Sequence, residues 1–171
     1  MKQLIFLLLF PLYFFGQTVH HDDEKIIYKG EVALATTNAD VIGRLQEAFP
    51  KIAGKLADTV SLATKDQGLE ALTTVRLNAP YAIHKKLHFT LNLQPVPNGY
   101  AYTVDSVFVT ERRRGWKEKR TDAKDMIEAL EETGKAAIEL EVLLNEIDLR
   151  IQQMLTMLAT EMRKPVVNES K

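Results

Sequence analysis

Between Leu87 and Leu93 every second residue is large and apolar: Leu87, Phe89, Leu91 and Leu93 alternate with His88, Thr90 and Asn92. Successive side chains of a strand point to opposite faces, so this segment has one face for a core and one for water. Leu69, Ala71, Thr73, Val75 and Leu77 form a second such row. Ile26, Tyr28, Val32 and Leu34 form a third, set against Lys29 and Glu31. Half-buried strands of this kind build antiparallel sheets that need a cover on one side only.

Other spacings supply the cover. Val41, Ile42, Leu45, Ala48, Phe49 and Ile52 recur at helical intervals, and Thr37 or Asn38 can cap that helix. Pro50 predicts its end or a distortion near Phe49. From Asp122 onward, Met126, Leu130, Ala137, Leu140, Leu144, Ile147, Ile151, Met154 and Leu158 follow 4-3 spacing, with only Thr133 breaking the row, and Lys164-Pro165 ends it. Strands are also predicted over 59–64 and 100–110, with turns at Lys65-Asp66-Gln67-Gly68, where Gly68 is free to take positive φ, and at Asn98-Gly99. Alternation slips at Asp105-Ser106, which predicts a bulge. Residues 111–120 read as a charged loop. The expected fold is α+β: an antiparallel sheet of about five strands in the order β-α-β-β-β-β-α, covered on one face by an N-terminal-half helix and a long C-terminal helix.

A single helix over 122–163 would be about 60 Å long, whereas a strand of ordinary length spans roughly 17–20 Å. Either the helix breaks at Thr133-Gly134 or its overhang pairs with another chain. Self-association through the long helix is one form of that pairing. Glu131, Glu132, Glu139 and Glu146 flank the seam and meet no basic residue in a parallel self-pair, which counts against the simplest version.

The strand from Ile26 to Leu34, the helix ending at Phe49, the turn Asp66-Gln67-Gly68, the run Tyr100-Ala101-Tyr102-Thr103-Val104 and the terminal helix from Ile147 to Met162 together resemble a family of secreted, uncharacterised Bacteroidota proteins with a TATA-binding-protein-like fold. The resemblance spans roughly 24–164. It implies a fold and export, and no reaction. A fold name carries no implication of DNA binding.

The amino terminus has the order of parts of a secretory signal peptide over 1–17. Lys2 is basic, Leu4 to Phe15 is an apolar run interrupted only by Pro11, and Gly16 is small. The run has 12 residues, short of the about 20 that cross a bilayer. The expectation is cleavage near Gly16 or Gln17 and a periplasmic or secreted protein. It would comprise a polar tail over 18–24, one domain over 25–164 and a second polar tail over 165–171. The chain has no cysteine, so disulfides, thiol nucleophiles and thiolate metal sites are excluded. A net charge of −1 does not suit a general nucleic-acid binder. No cofactor motif is present, and Ser61, Ser106 and Ser170 lack a nucleophile-elbow context.

Five groups stand out as candidate sites. Arg112, Arg113, Arg114, Lys117, Lys119 and Arg120 crowd ten residues around Trp116, opposed only by Glu111 and Glu118. Arginine pairs with phosphate or carboxylate and tryptophan suits membrane interfaces, so an anionic headgroup, a glycan or a partner surface is the functional reading against that of a solvated loop. Tyr28, Tyr100, Tyr102 and Phe108 could wall an apolar pocket or simply fill the core. His20 and His21 lie near the expected mature terminus: if cleavage follows Gln17, the free amine, two amides and His20 in third position can bind Cu(II) or Ni(II), and if it follows Gly16 that geometry is lost. His84 and His88, four apart, would suit zinc on a helix but sit about 13 Å apart on a strand, which points to surface or edge residues. Asp105, an acid within an apolar strand, could pair with Glu70 or Asp58 as a hydrolytic dyad. The expected function is an exported, non-enzymatic binding or interaction protein of the cell envelope. Its partner would be a protein or a small apolar or anionic ligand, with peripheral envelope association. The alternative is a small envelope hydrolase with an acidic site near Asp105.

Overall fold

The computed structural model describes residues 18–22, 25–34, 41–65, 67–79, 83–130 and 135–164. The expected signal segment over 1–17 and the tail over 165–171 lie outside the described residues. Among the described residues, seven strands form one sheet: β1 (Thr18–Asp22), β2 (Lys25–Ala33), β3 (Thr59–Lys65), β4 (Gly68–Leu77), β5 (Ile83–Val96), β6 (Gly99–Arg113) and β7 (Lys119–Asp122). Their order is β1-β2-β6-β5-β4-β3, every pairing is antiparallel, and β7 pairs the far half of β6. Three helices, α1 (Val41–Leu56), α2 (Ala123–Leu130) and α3 (Lys135–Met162), cover one face.

The alternating rows meet in register on the covered face. Leu69 lies opposite Leu93, which lies opposite Tyr102. Ala71, Leu91, Val104 and Tyr28 make the next line across four strands. Leu45 and Phe49 of α1 and Ile147, Ile151, Met154, Leu158 and Met162 of α3 close over them, each at most 1% exposed. The ends of the two helices are tied together: Arg44 donates to the carbonyl oxygens of Met162 and, at 2.8 Å, Lys164. Gly30 leaves room for Tyr102, whose hydroxyl would lie 2.5 Å from any Cβ placed there.

Several sequence expectations need correction. The segment over 18–24, expected to be a loose polar tail, forms β1 over Thr18–Asp22, because the edge of β2 offers backbone partners that no apolar pattern announces. Residues 111–120 are not a loop throughout: β6 continues to Arg113 and Lys119 opens β7, so the segment is a hairpin. Polar strands carry no hydrophobic period, which is why this one was invisible and why the sheet has seven strands rather than about five. Pro50 lies inside α1, which continues to Leu56. The hydrogen bond lost to proline costs about 3 kcal/mol, and set against it is the burial of Ile52 and Ala53 beyond. In the β3–β4 turn the left-handed residue is Gln67, at φ 66°, and not Gly68. The predicted long helix is two, α2 and α3, which touch one another, and the Thr133-Gly134 position falls in the undescribed interval between them.

The bulge is where the sequence placed it. His88 faces Phe108 and Thr90 faces Asp105, so β6 has one residue more than β5 between these pairs. Ser106, at φ 52°, takes up the excess. Side-chain parity therefore reverses along β6: Tyr100, Tyr102 and Val104 face the helices before the bulge, and Val107 and Val109 face them after it.

Candidate anion-binding cleft

α3 is about 42 Å long at 1.5 Å per residue, comparable with the long central strands β5 and β6. Its C-terminal half is core. Glu146 accepts a hydrogen bond from the backbone nitrogen of Asn78, just past β4, at 2.8 Å. N-terminal to that point Leu140, Leu143 and Leu144 still pack half-buried against the core, while Ile138 and Val142 on the outer side are 63% and 64% exposed. The β6–β7 hairpin projects at the same end, and a cleft of about 290 Å³ opens between hairpin, sheet and helix.

Lys85, Val109, Glu111, Arg113, Trp116, Lys117, Lys119, Thr121 and Leu143 line it. Antiparallel register explains the set. Lys85 opposes Glu111, Glu111 opposes Lys119, and Val109 opposes Thr121, so these five share the helix-side face. Four bases and one acid give the lining a surplus of three positive charges. Both oxygens of Glu111 are engaged: Arg113 Nε donates to one at 2.8 Å and Lys85 Nζ stands 3.4 Å from the other. Partial burial pushes the Glu111 carboxyl upward, but the Arg113 hydrogen bond and the Lys85 charge outweigh it and hold the group below its ordinary range. Lys117 and Lys119 have no salt bridge among the described residues. Val109 and Leu143 supply an apolar floor, and Trp116, 73% exposed, forms one wall.

The sequence singled out the hairpin, and the structure divides it. Arg113, Trp116, Lys117 and Lys119 line the cleft. Arg112 opposes His84, one residue out of phase with the lining, and Arg120 turns to the open face of the sheet. Arg114 sits in the turn beside Gly115, which has φ 80°. Sequence reasoning missed Lys85, Glu111, Val109, Thr121 and Leu143. A signal existed for Lys85, a cation standing two before Leu87 in an apolar row.

The four aromatics do not wall one pocket. Tyr28, Tyr100 and Tyr102 are core, each at most 4% exposed. Burial pushes the Tyr28 and Tyr100 phenols well above their usual range, and at Tyr28 the Asp148 carboxylate adds to this. Tyr100 Oη has no hydrogen-bond partner among the described residues. Phe108 lies on the opposite face because the Ser106 bulge reversed its parity. There it stacks on His88, with centroids 4.6 Å apart and planes at 5°, while the Arg120 guanidinium covers it at 3.8 Å.

His88 is not an edge residue, since β5 lies between β4 and β6. Its Nδ1 shares a hydrogen bond with Thr74 Oγ1 at 3.1 Å and its Nε2 one with Thr110 Oγ1 at 3.0 Å. Burial holds its pKa below the usual value, with Glu118 opposing this and Lys86 and Arg120 adding to it. A depressed histidine pKa means that the unfolded chain takes up the proton first. Stability from this site is thus present above about pH 6.5 and is lost as pH falls below it. Urea midpoints measured from pH 7.5 to 5 should fall for the native chain and fall less steeply for His88→Leu; equal slopes would remove His88 as the cause.

His20 and His21 have their main chain in β1, opposite Ile27 and Ile26. No group of three or more histidine, cysteine or acidic side chains able to hold a metal occurs among the described residues. Asp105 accepts from Asn92 Nδ2 at 3.3 Å and Ser106 Oγ at 3.0 Å. Glu70 pairs with Lys65, whereas Asp58 is beyond the other end of β4's pairing with β3, beside Arg76 and Lys86. Glu70 and Asp105 stand two strands apart and two residues out of line, roughly 12 Å, on the open sheet face. A second cleft, about 450 Å³ between α1 and β3, has Asp58 as its only carboxylate among the described residues.

No protein-family model matches the sequence, and no curated protein matches it. Solved structures do share its architecture. A TBP-like protein from Parabacteroides distasonis is similar at 12% identity with a TM-score of 0.63, covering 84% of this chain and 96% of that one. A DUF4468 family protein from Bacteroides ovatus is similar at 11% identity with a TM-score of 0.64, covering 88% of this chain and 93% of that one. The chain thus has the α+β, TBP-like fold that the sequence resemblance implied.

Proposed function

We propose that this chain is an exported binding protein of the cell envelope, and that its cleft takes an anionic ligand with a short apolar part. The observation that carries the reading is the pairing of Lys117 and Lys119, without counter-ions among the described residues, with an apolar floor of Val109 and Leu143 and a wall of Trp116. The cations would hold a phosphate or carboxylate by charge-assisted hydrogen bonds, and the floor would take the attached carbons. Glu111 acts as an internal competitor, since it already engages Arg113 and Lys85. Export rests on the order of residues over 1–17.

Hexyl phosphate, titrated by calorimetry, tests the cleft. Lys117→Ala combined with Lys119→Ala should weaken binding at least about tenfold, since a hydrogen bond to a charged group contributes about 1.5–3 kcal/mol. Glu111→Gln should strengthen it by freeing Arg113 and Lys85. Absence of binding to the native chain, or equal binding by the double variant, would refute the site. Amino-terminal sequencing of native protein from the envelope fraction should begin at Gln17 or Thr18; an intact Met1 would refute export.

A further inference from the structure

The hairpin carries more cations than the cleft uses. Over 111–120 six bases meet two acids, in a chain whose total charge is −1. α2 and α3, which follow directly, hold three bases against seven acids. The hairpin is therefore a cationic segment followed by two acidic helices. The tip carries one large exposed apolar side chain: Trp116 is 73% exposed, and its backbone nitrogen bonds to the Arg113 carbonyl at 3.0 Å, closing the turn. Cations stand on both sides of this tip. Arg113, Lys117 and Lys119 belong to the cleft side, Arg112 belongs to the opposite side of the ribbon, and Arg114 lies in the turn. A one-sided protein groove would use one row. A tryptophan ringed by cations on both sides matches a plane that is anionic at its surface and apolar just beneath.

We propose that the β6–β7 hairpin is a peripheral docking tip for an anionic phospholipid surface, with Trp116 at the headgroup–acyl boundary and a lipid phosphate at Lys117 and Lys119. This deepens the anion-cleft reading and rests on it. No helix among the described residues is long and apolar enough to cross a membrane.

The chain contains a single tryptophan, so its fluorescence reports the tip directly. Full-length mature protein mixed with vesicles of equimolar phosphatidylglycerol and phosphatidylcholine should show a blue-shifted emission and should sediment with them. Vesicles of phosphatidylcholine alone should give neither effect, and high salt should reverse both. Arg112→Gln combined with Arg114→Gln, both outside the cleft lining, should lower partitioning about 30-fold while hexyl phosphate binding is kept. Unchanged emission and no sedimentation of the native chain with anionic vesicles would overturn the proposal, as would equal binding to both vesicle types. If hexyl phosphate binds and anionic vesicles do not, the cleft reading stands and the lipid proposal falls. If neither binds, both fall.

Discussion

Gly99→Ala will abolish the native fold or leave it so marginal that urea unfolds it well below the native midpoint. Gly99 opens β6 after the two-residue turn Pro97-Asn98, pairs with Ala33 and Val96, and sits at φ 155°, where side chains are rarely found. A Cβ there would lie 1.8 Å from the Val32 carbonyl oxygen, and backbone is the obstacle rather than the end of a movable side chain. Relief requires β2 to part from β6, and β2–β6 is the pairing that attaches β1 and β2 to the rest of the sheet. Loss on this scale exceeds the ordinary range for point changes, about 0.5–3 kcal/mol, and approaches the whole stability of a domain of this size, about 5–15 kcal/mol. Circular dichroism with urea titration decides it. A midpoint equal to that of the native chain would show that β2 does not pass Gly99 at this distance.

The second large effect separates the two faces of α3. Ile151 is fully buried under the helix layer, so Ile151→Ala should cost about 2–5 kcal/mol through lost transfer energy and a residual cavity. Ile138 lies thirteen residues earlier, on the opposite side of the same helix, and is 63% exposed. Ile138→Ala should change stability by no more than about 0.5 kcal/mol. Paired denaturant titrations of the two variants give the comparison. Similar losses would mean that the back of α3 is covered in solution.

Both results turn on where an apolar residue ends up, and the sequence was legible to different depths there. The rows from Leu69 to Leu77 and from Leu87 to Leu93 were readable because each alternates at the period of a strand and each is buried as expected. The C-terminal row from Ile147 to Leu158 was readable for the same reason at the helical period. The Ser106 bulge left a visible slip in alternation. The hairpin was the failure: Glu111, Arg113, Lys119 and Thr121 have no apolar period, so nothing local distinguished a polar ribbon from a loop. Phe108 was misplaced together with the tyrosines because a one-residue bulge reverses every later side chain, and that consequence must be carried along the whole strand.

Composition and periodicity by themselves determined that this chain makes a one-sided antiparallel sheet under helices, without disulfides, and with a cationic segment around one tryptophan. The absence of disulfides follows from the absence of cysteine, and the rest from the identity of residues one to four positions apart. Only tertiary structure decided that Lys85 of β5, Glu111 of β6, Lys119 of β7 and Leu143 of α3 share one cleft. Strand register and the line along which α3 crosses the sheet bring them together, and both are set by the packing of the entire core rather than by any neighbouring residue.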